Sequence, residues 1–197
     1  MMKRTAAILV FGIALFVGSV HASDFDKGSA AIRNGDYAEA VKWFRLSAEQ
    51  GYAKAQYNLA LMYANGQGVS QDYKEAAKWF RLSAEQGNAK AQTSLGFMYA
   101  SGQGVTQDYK ESVKWHRLSA EQGNANAQTS LGFMYVLGQG VIQDDVYAHM
   151  WWNIAAASGN FFAQKNRDEV AKSMTSSQLE EAQKLARECV AKDYKGC

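Results

Sequence analysis

Few side chains in this sequence could carry out chemistry, and they are scattered. Beyond the first 22 residues there are two histidines, His116 and His149, and the chain has only two cysteines, Cys189 and Cys197. Cys189 and His149 could be imagined as nucleophile and base, but such a pair needs mutual positioning that no neighbouring sequence supplies. There is no His-x-x-x-His, no Cys-x-x-Cys and no phosphate-cradling glycine loop after a strand. The G-x-G stretches at 66–68, 102–104 and 138–140 read as helix stops instead. Ser47, Ser83 and Ser119 occupy one recurring position and read as small fillers. His116 stands where earlier copies of the same stretch have Phe44 and Phe80. His149 stands where they have Val41, Ala77 and Val113. Both histidines therefore read as packing residues, and the expectation is no enzyme, no metal and no cofactor.

The elements behind these positions come from a repeat. KWFRLSAEQG at 42–51 recurs letter for letter at 78–87 and as KWHRLSAEQG at 114–123. A worn copy, WWNIAAASG, ends at Gly159. Trp43, Trp79, Trp115 and Trp151 keep a 36-residue spacing, as do Gly51, Gly87, Gly123 and Gly159. A fixed period of this size marks stacked supersecondary units.

Residues 1–22 read as a cleavable export signal. Lys3 and Arg4 precede an apolar run over 5–20, and Val20-His21-Ala22 offers small residues for cleavage. The run is shorter than the roughly 20 residues of a spanning helix. The expected location is thus periplasmic or secreted, with no membrane insertion after cleavage. The whole chain has 21 Lys+Arg against 19 Asp+Glu, and losing Lys3 and Arg4 leaves the remainder formally neutral. That balance gives no nucleic-acid footprint. In an exported chain Cys189 and Cys197 can oxidise to each other. The competing reading is a buried free thiol at Cys189 and a frayed end at Cys197.

Each unit reads as two helices. The first opens at Asp36, Asp72 or Asp108, each followed three residues on by Glu39, Glu75 or Glu111, the spacing of a reciprocal capping pair. It ends at Gly51, Gly87 or Gly123. Wound at the helical period, Tyr37, Ala40, Val41, Trp43, Phe44, Ser47 and Ala48 share one side, so the Trp series reads as core. The second helix covers about 53–65, 89–101 and 125–137 and stops at Gly66, Gly102 or Gly138. Ala60 becomes Gly96 and Gly132, small enough for a close helix approach. Leu61, Phe97 and Phe133 fall opposite the apolar side and read as packing against a neighbouring unit; the alternative is an exposed aromatic ladder that marks a docking site. Val69, Val105 and Val141 read as loop residues tucked under the helix pair. Before the repeats, 23–34 reads as a short helix. After them, a last helix is entered by either Thr175/Gln178 or Ser177/Glu180, with Leu179, Ala182, Ala186, Cys189 and Val190 as its stripe.

The pattern A-x-x-W-x-x-x-A-x-x-G, followed by A-Q-x-x-L-G-x-M-Y-x-x-G-x-G-V-x-x-D-Y, resembles the Sel1-like repeat, an offshoot of the tetratricopeptide class. The resemblance covers 52–87, 88–123 and 124–159. It leaves a tetratricopeptide-like half-unit at 23–51 and capping helices at 160–197. Departures are local: Ala60 replaces a Gly, and the fourth copy lacks the capping Glu after Asp144. The resemblance implies an all-α, right-handed α-solenoid of antiparallel helix pairs with a C-terminal cap. Some cysteine-rich relatives have been assigned penicillin binding or β-lactam hydrolysis, but they carry a disulfide in each repeat, and no repeat here holds a Cys.

The resemblance also implies a protein or peptide partner. Carried over from tetratricopeptide arrays, the binding wall falls on the first helix of each unit as divided above. It then comprises Lys42, Arg45 and Leu46, Lys78, Arg81 and Leu82, and Lys114, Arg117 and Leu118, with Trp152 as an aromatic addition. Glu49, Glu85 and Glu121 lie a turn away, as pairing partners for the basic residues. The reading is a non-catalytic interaction scaffold of the cell envelope or secreted space. The alternatives are an envelope enzyme acting on β-lactam or peptidoglycan, and a periplasmic regulator of a membrane sensor.

Overall fold

The computed structural model describes residues 23–197; the export-signal expectation for 1–22 lies outside them. The described residues are helical, with no strand among them: α1 (23–33), α2 (Tyr37–Glu49), α3 (Ala53–Asn65), α4 (Tyr73–Glu85), α5 (Ala89–Ser101), α6 (Tyr109–Ala120), α7 (Ala125–Leu137), α8 (Asp145–Ala157), α9 (Phe161–Val170) and α10 (Ser176–Ala191). A 3-10 turn, Ala171–Ser173, joins the last two. No described helix is long and apolar enough to cross a membrane. The chain divides into two compact units, one ending at Gln86 and one running Gly87–Cys197. The architecture is all-α, built of consecutive antiparallel helix pairs of the α-solenoid class.

Helix starts follow capping chemistry. The carboxylates of Asp36, Asp72, Asp108 and Asp144 accept orphan N–H groups of α2, α4, α6 and α8. The expected reciprocal bond from Glu39, Glu75 and Glu111 does not form. The cap's own N–H is already donated, from Asp36 to the Ala31 carbonyl and from Asp72 to the Tyr63 carbonyl. Each glutamate turns instead to a lysine one turn on, Glu39 to Lys42 at 3.4 Å, Glu75 to Lys78 at 3.4 Å and Glu111 to Lys114 at 3.1 Å. Among the described residues the one complete capping box is Thr175 with Gln178, which settles the entry to α10. Asn88, Asn124 and Asn160 cap α5, α7 and α9.

Gly51 sits at φ 92° and closes α2 in a Schellman pattern, with Gly51 N–H on the Ala48 carbonyl and Tyr52 N–H on the Ser47 carbonyl. In the 66–69 loop the two glycines do different work. Gly66 stops α3 in the left-handed region. Gly68 lies so close to the Tyr37–Ala38 backbone that a Cβ would collide with it, and Gly140 meets Tyr109–Lys110 in the same way. The second glycine therefore seats the loop on the preceding helix start, a role beyond the helix stop read from sequence. Val69, Val105 and Val141 are half-buried there.

In the first unit, α3 packs between α2 and α4. In the second, α5 packs on α6, α6 and α8 flank α7, and α9 lies against α8. Polar side chains tie the pairs together. Ser83 Oγ donates to the Ala53 carbonyl and Ser119 Oγ to the Ala89 carbonyl, each at 2.7 Å. Gln86 donates to Gln56 and Gln122 to Gln92, each at 2.7 Å. The serines are thus inter-helix fasteners as well as small fillers. At the last pair Ser158 takes the glutamine's place, and the buried Gln128 carbonyl oxygen has no protein partner.

The array ends through changed residues on α9. The position of Leu131 is taken by Arg167 and that of Gly132 by Asp168, so α9 offers no apolar face for another helix. The chain turns back, and α10 packs on α8 through buried Ala182, Ala186 and Cys189. Val190, expected on that stripe, is exposed. Cys189 is bonded to Cys197 across a Cα–Cα distance of 5.5 Å.

Candidate partner-binding surfaces

The tryptophans are core. Trp79, Trp115 and Trp151 are buried, while Trp43 is half-buried beneath the Lys27 ammonium, 4.2 Å from its ring centroid. Trp152 is only 3 % exposed, its indole N–H donates to the Thr129 carbonyl, and its ring lies over Gly132. The expectation that it extends a docking surface meets this geometry: the ring is enclosed between helices because Gly132 leaves room for it. His116 fills the same kind of space over Gly96 and meets Phe97 edge-on at 4.9 Å. Burial pushes its pKa down to about 4, so the ring is neutral. Burial also lowers His149, helped by Arg167 and opposed by Asp168. With both rings enclosed and Cys189 held in a disulfide, the imagined nucleophile–base pair has neither thiolate nor open imidazole. Among the described residues no three His, Cys, Asp or Glu gather in a metal-binding cluster.

Two surfaces remain. The first carries the basic residues singled out from sequence. Lys42, Lys78 and Lys114 each pair with the capping glutamate, not with Glu49, Glu85 or Glu121. One turn of helix separates the actual partners, and each ammonium also lies 5.3–5.4 Å from the ring centroid of its own Trp43, Trp79 or Trp115. Arg45 donates to the Tyr63 hydroxyl at 2.6 Å and Arg117 to that of Tyr135 at 2.9 Å, and Arg81 is engaged as well. Leu46, Leu82 and Leu118 are open to solvent, at 41 %, 38 % and 40 %.

The second surface belongs to the other helix of each pair. Phe97 and Phe133, expected against a neighbouring unit, are 50 % and 40 % exposed. Each makes an edge-to-face contact with a buried ring, His116 for Phe97 and Trp152 for Phe133. With Phe162 of α9 they line a groove of about 350 Å³ together with Asn126, Thr129, Ser130 and Asn160. Beside it, a second groove of about 730 Å³ runs from Phe133 over Val136 and Leu137 to Val170. In the first unit the equivalent Leu61 is half-buried and lines a groove of about 270 Å³ with Ile32, Phe44 and Met62.

Consecutive helix pairs with a shared set of caps, fasteners and core aromatics define a helical-repeat protein of the α-solenoid class. The chain belongs to the Sel1 repeat family, whose profile matches at 25–52, 53–88, 89–124 and 125–160. The first match takes in α1 and α2, which the sequence reading had counted as a half-unit. Each match opens on α1, α3, α5 or α7. In this register the leading helix of the second, third and fourth repeats is the one bearing Leu61, Phe97 or Phe133, not the one bearing the arginines. Sel1 repeats are protein-interaction scaffolds.

Among solved structures, the chain is similar to a Sel1 repeat protein from Oxalobacter formigenes, 32 % identical over 83 % of this chain and 73 % of that one, with a TM-score of 0.74. It is also similar to c5321, a protective antigen of uropathogenic Escherichia coli strains displaying the same fold, 42 % identical over 73 % of this chain and 32 % of that one, TM-score 0.70. Among curated proteins, 41 residues are 44 % identical to the rat DAP3-binding cell death enhancer 1, and 47 residues are 45 % identical to an exopolysaccharide production negative regulator of Rhizobium leguminosarum bv. viciae. These stretches are 21 % and 24 % of this chain, but only 8 % and 18 % of those relatives.

Proposed function

We propose that the protein is a non-catalytic scaffold that binds a protein or peptide segment on the face of α5, α7 and α9, in the periplasmic or secreted space. The observation that carries this reading is the row Phe97, Phe133 and Phe162 along one groove. Aromatic rings left in water cost free energy that burial against a partner recovers, and contiguous apolar surface of this kind marks docking sites. Asn126, Ser130 and Asn160 in the groove's lining offer donors and acceptors to a partner's backbone. A role in regulation rather than assembly is supported by the Rhizobium relative's name.

A second reading places the partner on Arg45, Arg81 and Arg117 with Lys42, Lys78 and Lys114, the leucines supplying apolar contact. Its support is the exposure of Leu46, Leu82 and Leu118. The engagement of Arg45 and Arg117 by tyrosines weighs against it, because a carboxylate would have to displace those bonds. Two variants separate the readings in capture from envelope extract: Phe97→Ala with Phe133→Ala, and Arg45→Ala with Arg81→Ala and Arg117→Ala. The first is expected to abolish capture and the second to leave it intact; the reverse result moves the site to the arginine wall. Mass determination of exported protein, with the expected cut after Ala22, checks the location.

A further inference from the structure

The C-terminal disulfide lies outside every surface considered so far. Cys189 is buried in α10, and the eight residues after it turn back until Cys197 meets it. The turn is tight. The N–H groups of Asp193, Tyr194 and Lys195 donate to the carbonyls of Val190, Cys189 and Lys192. Asp193 and Tyr194 are the only non-glycine residues with positive φ among those described, at 49° and 65°, and Gly196 follows at 67°. Side chains disfavour this left-handed region, so two neighbours held in it need an outside constraint. The covalent bond supplies one.

The turn also reaches across to another repeat. The Tyr194 ring covers Gly123, leaving 3.3 Å to where a Cβ would stand, and Gly196 N–H donates to the Glu121 carboxylate at 3.4 Å. Other copies of this helix-to-helix turn provide an internal comparison. Gly51, Gly87 and Gly159 have nothing within 4 Å of the same position. One turn of the set, between α6 and α7, is therefore covered, and its cover is tied down by the disulfide.

We propose that the Cys189–Cys197 bond is a redox latch. Closed, it holds residues 193–197 as a hook over the α6–α7 turn; opened, it releases the hook and uncovers Glu121 and Gly123. The opening agent is a dithiol. Its thiolate attacks the sulfur of Cys197, the half-buried partner, and Cys189 leaves as a thiolate that takes up a proton. The second thiol of the agent then displaces Cys197 as a thiol. The S–S bond of the protein is replaced by one in the reductant, two electrons and two protons having passed to Cys189 and Cys197. Released, Asp193 and Tyr194 relax to ordinary backbone conformations, which favours the open hook.

Hydrogen exchange on the full exported chain tests this without any binding partner, so the result is independent of the proposed docking groove. Oxidised protein, protein reduced with dithiothreitol, and a Cys197→Ser variant are compared. The latch requires exchange at 193–197 to rise by roughly tenfold or more in the reduced protein, with 121–124 following and the turns at 49–52 and 157–160 unchanged. Cys197→Ser is expected to match reduced wild type with or without reductant. Unchanged exchange at 193–197 on reduction overturns the proposal, since the hook then stays docked unaided. Loss of protection throughout the helices also overturns it, since the bond is then a global staple and not a latch. Alkylation before reduction gives the starting state: two labelled cysteines in protein taken directly from the envelope or secreted fraction overturn the closed form.

Discussion

Single side chains decide how tightly these helices approach. At Gly132 an added methyl collides with the Trp152 indole, which is pinned by its bond to the Thr129 carbonyl. At Gly96 the methyl meets the His116 ring at about 2.8 Å. Gly132→Ala is expected to lower stability by about 2–3 kcal/mol and Gly96→Ala by about 1–2 kcal/mol, from the usual cost of overpacking; urea titration of each variant gives the order. His116 adds a pH effect of definite sign. Its folded pKa is about 4, below the ordinary 6.5, so the folded state holds the ring neutral. Its contribution is complete above about pH 6.5 and declines as the pH falls toward 4, by about 3 kcal/mol in all. His116→Phe restores the residue of Phe44 and Phe80 and removes that term. The gap between variant and wild type is expected to widen from pH 7 to pH 4, and a constant gap would show that His116 does not titrate out of its pocket. The sequence indicated that His116 packs, because phenylalanine holds the same slot in two copies. It could not indicate that the ring covers Gly96, since that contact joins helices separated by a loop.

Helices are set by their ends and by which faces are apolar. The aspartate caps are visible in sequence because Asp-Tyr opens the helix in three copies. What the capping glutamate does is not visible, because it depends on whether the cap's own N–H has another acceptor, and here a carbonyl of the preceding helix takes it. The asparagine caps repeat at Asn88, Asn124 and Asn160, and Asn124→Ala is expected to cost about 1 kcal/mol. Thermal melting followed by circular dichroism measures it, and a shift indistinguishable from zero would mean that solvent replaces the cap. The exposure of Phe97 and Phe133 was legible only as one of two alternatives, for a different reason. On α5 and α7, Leu95, Phe97 and Met98, or Leu131, Phe133 and Met134, run nearly side by side. A helix apolar on several sides gives no clear inside, so Phe97 and Phe133 could be assigned to packing as easily as to solvent. Only the position of the next helix distinguishes them, and it covers Leu95 and Leu131 completely while leaving the phenylalanines half open.

At the scale of the molecule, the repeat makes folding and binding modular. Deleting 88–123 as one block is expected to leave a shorter folded helical protein, because energies in such arrays are close to sums of unit and neighbour terms. Deleting about half that length shifts every fastener out of register and is expected to abolish the cooperative melt; equal tolerance of both deletions would contradict the modular account. The order of the repeats was legible from their period, and the place where they stop was legible only in part. The exchange of Leu131 and Gly132 for Arg167 and Asp168 is plain in the alignment of copies, whereas the return of α10 onto α8 is a tertiary fact. The central claim is that α5, α7 and α9 present the binding face. Its most direct test is photo-crosslinking in cells, with a benzophenone amino acid placed at Phe133 in one strain and at Leu118 in another. A discrete adduct from position 133 and none from 118 is the predicted result. An adduct from 118 alone would contradict it and return the binding face to the arginine wall.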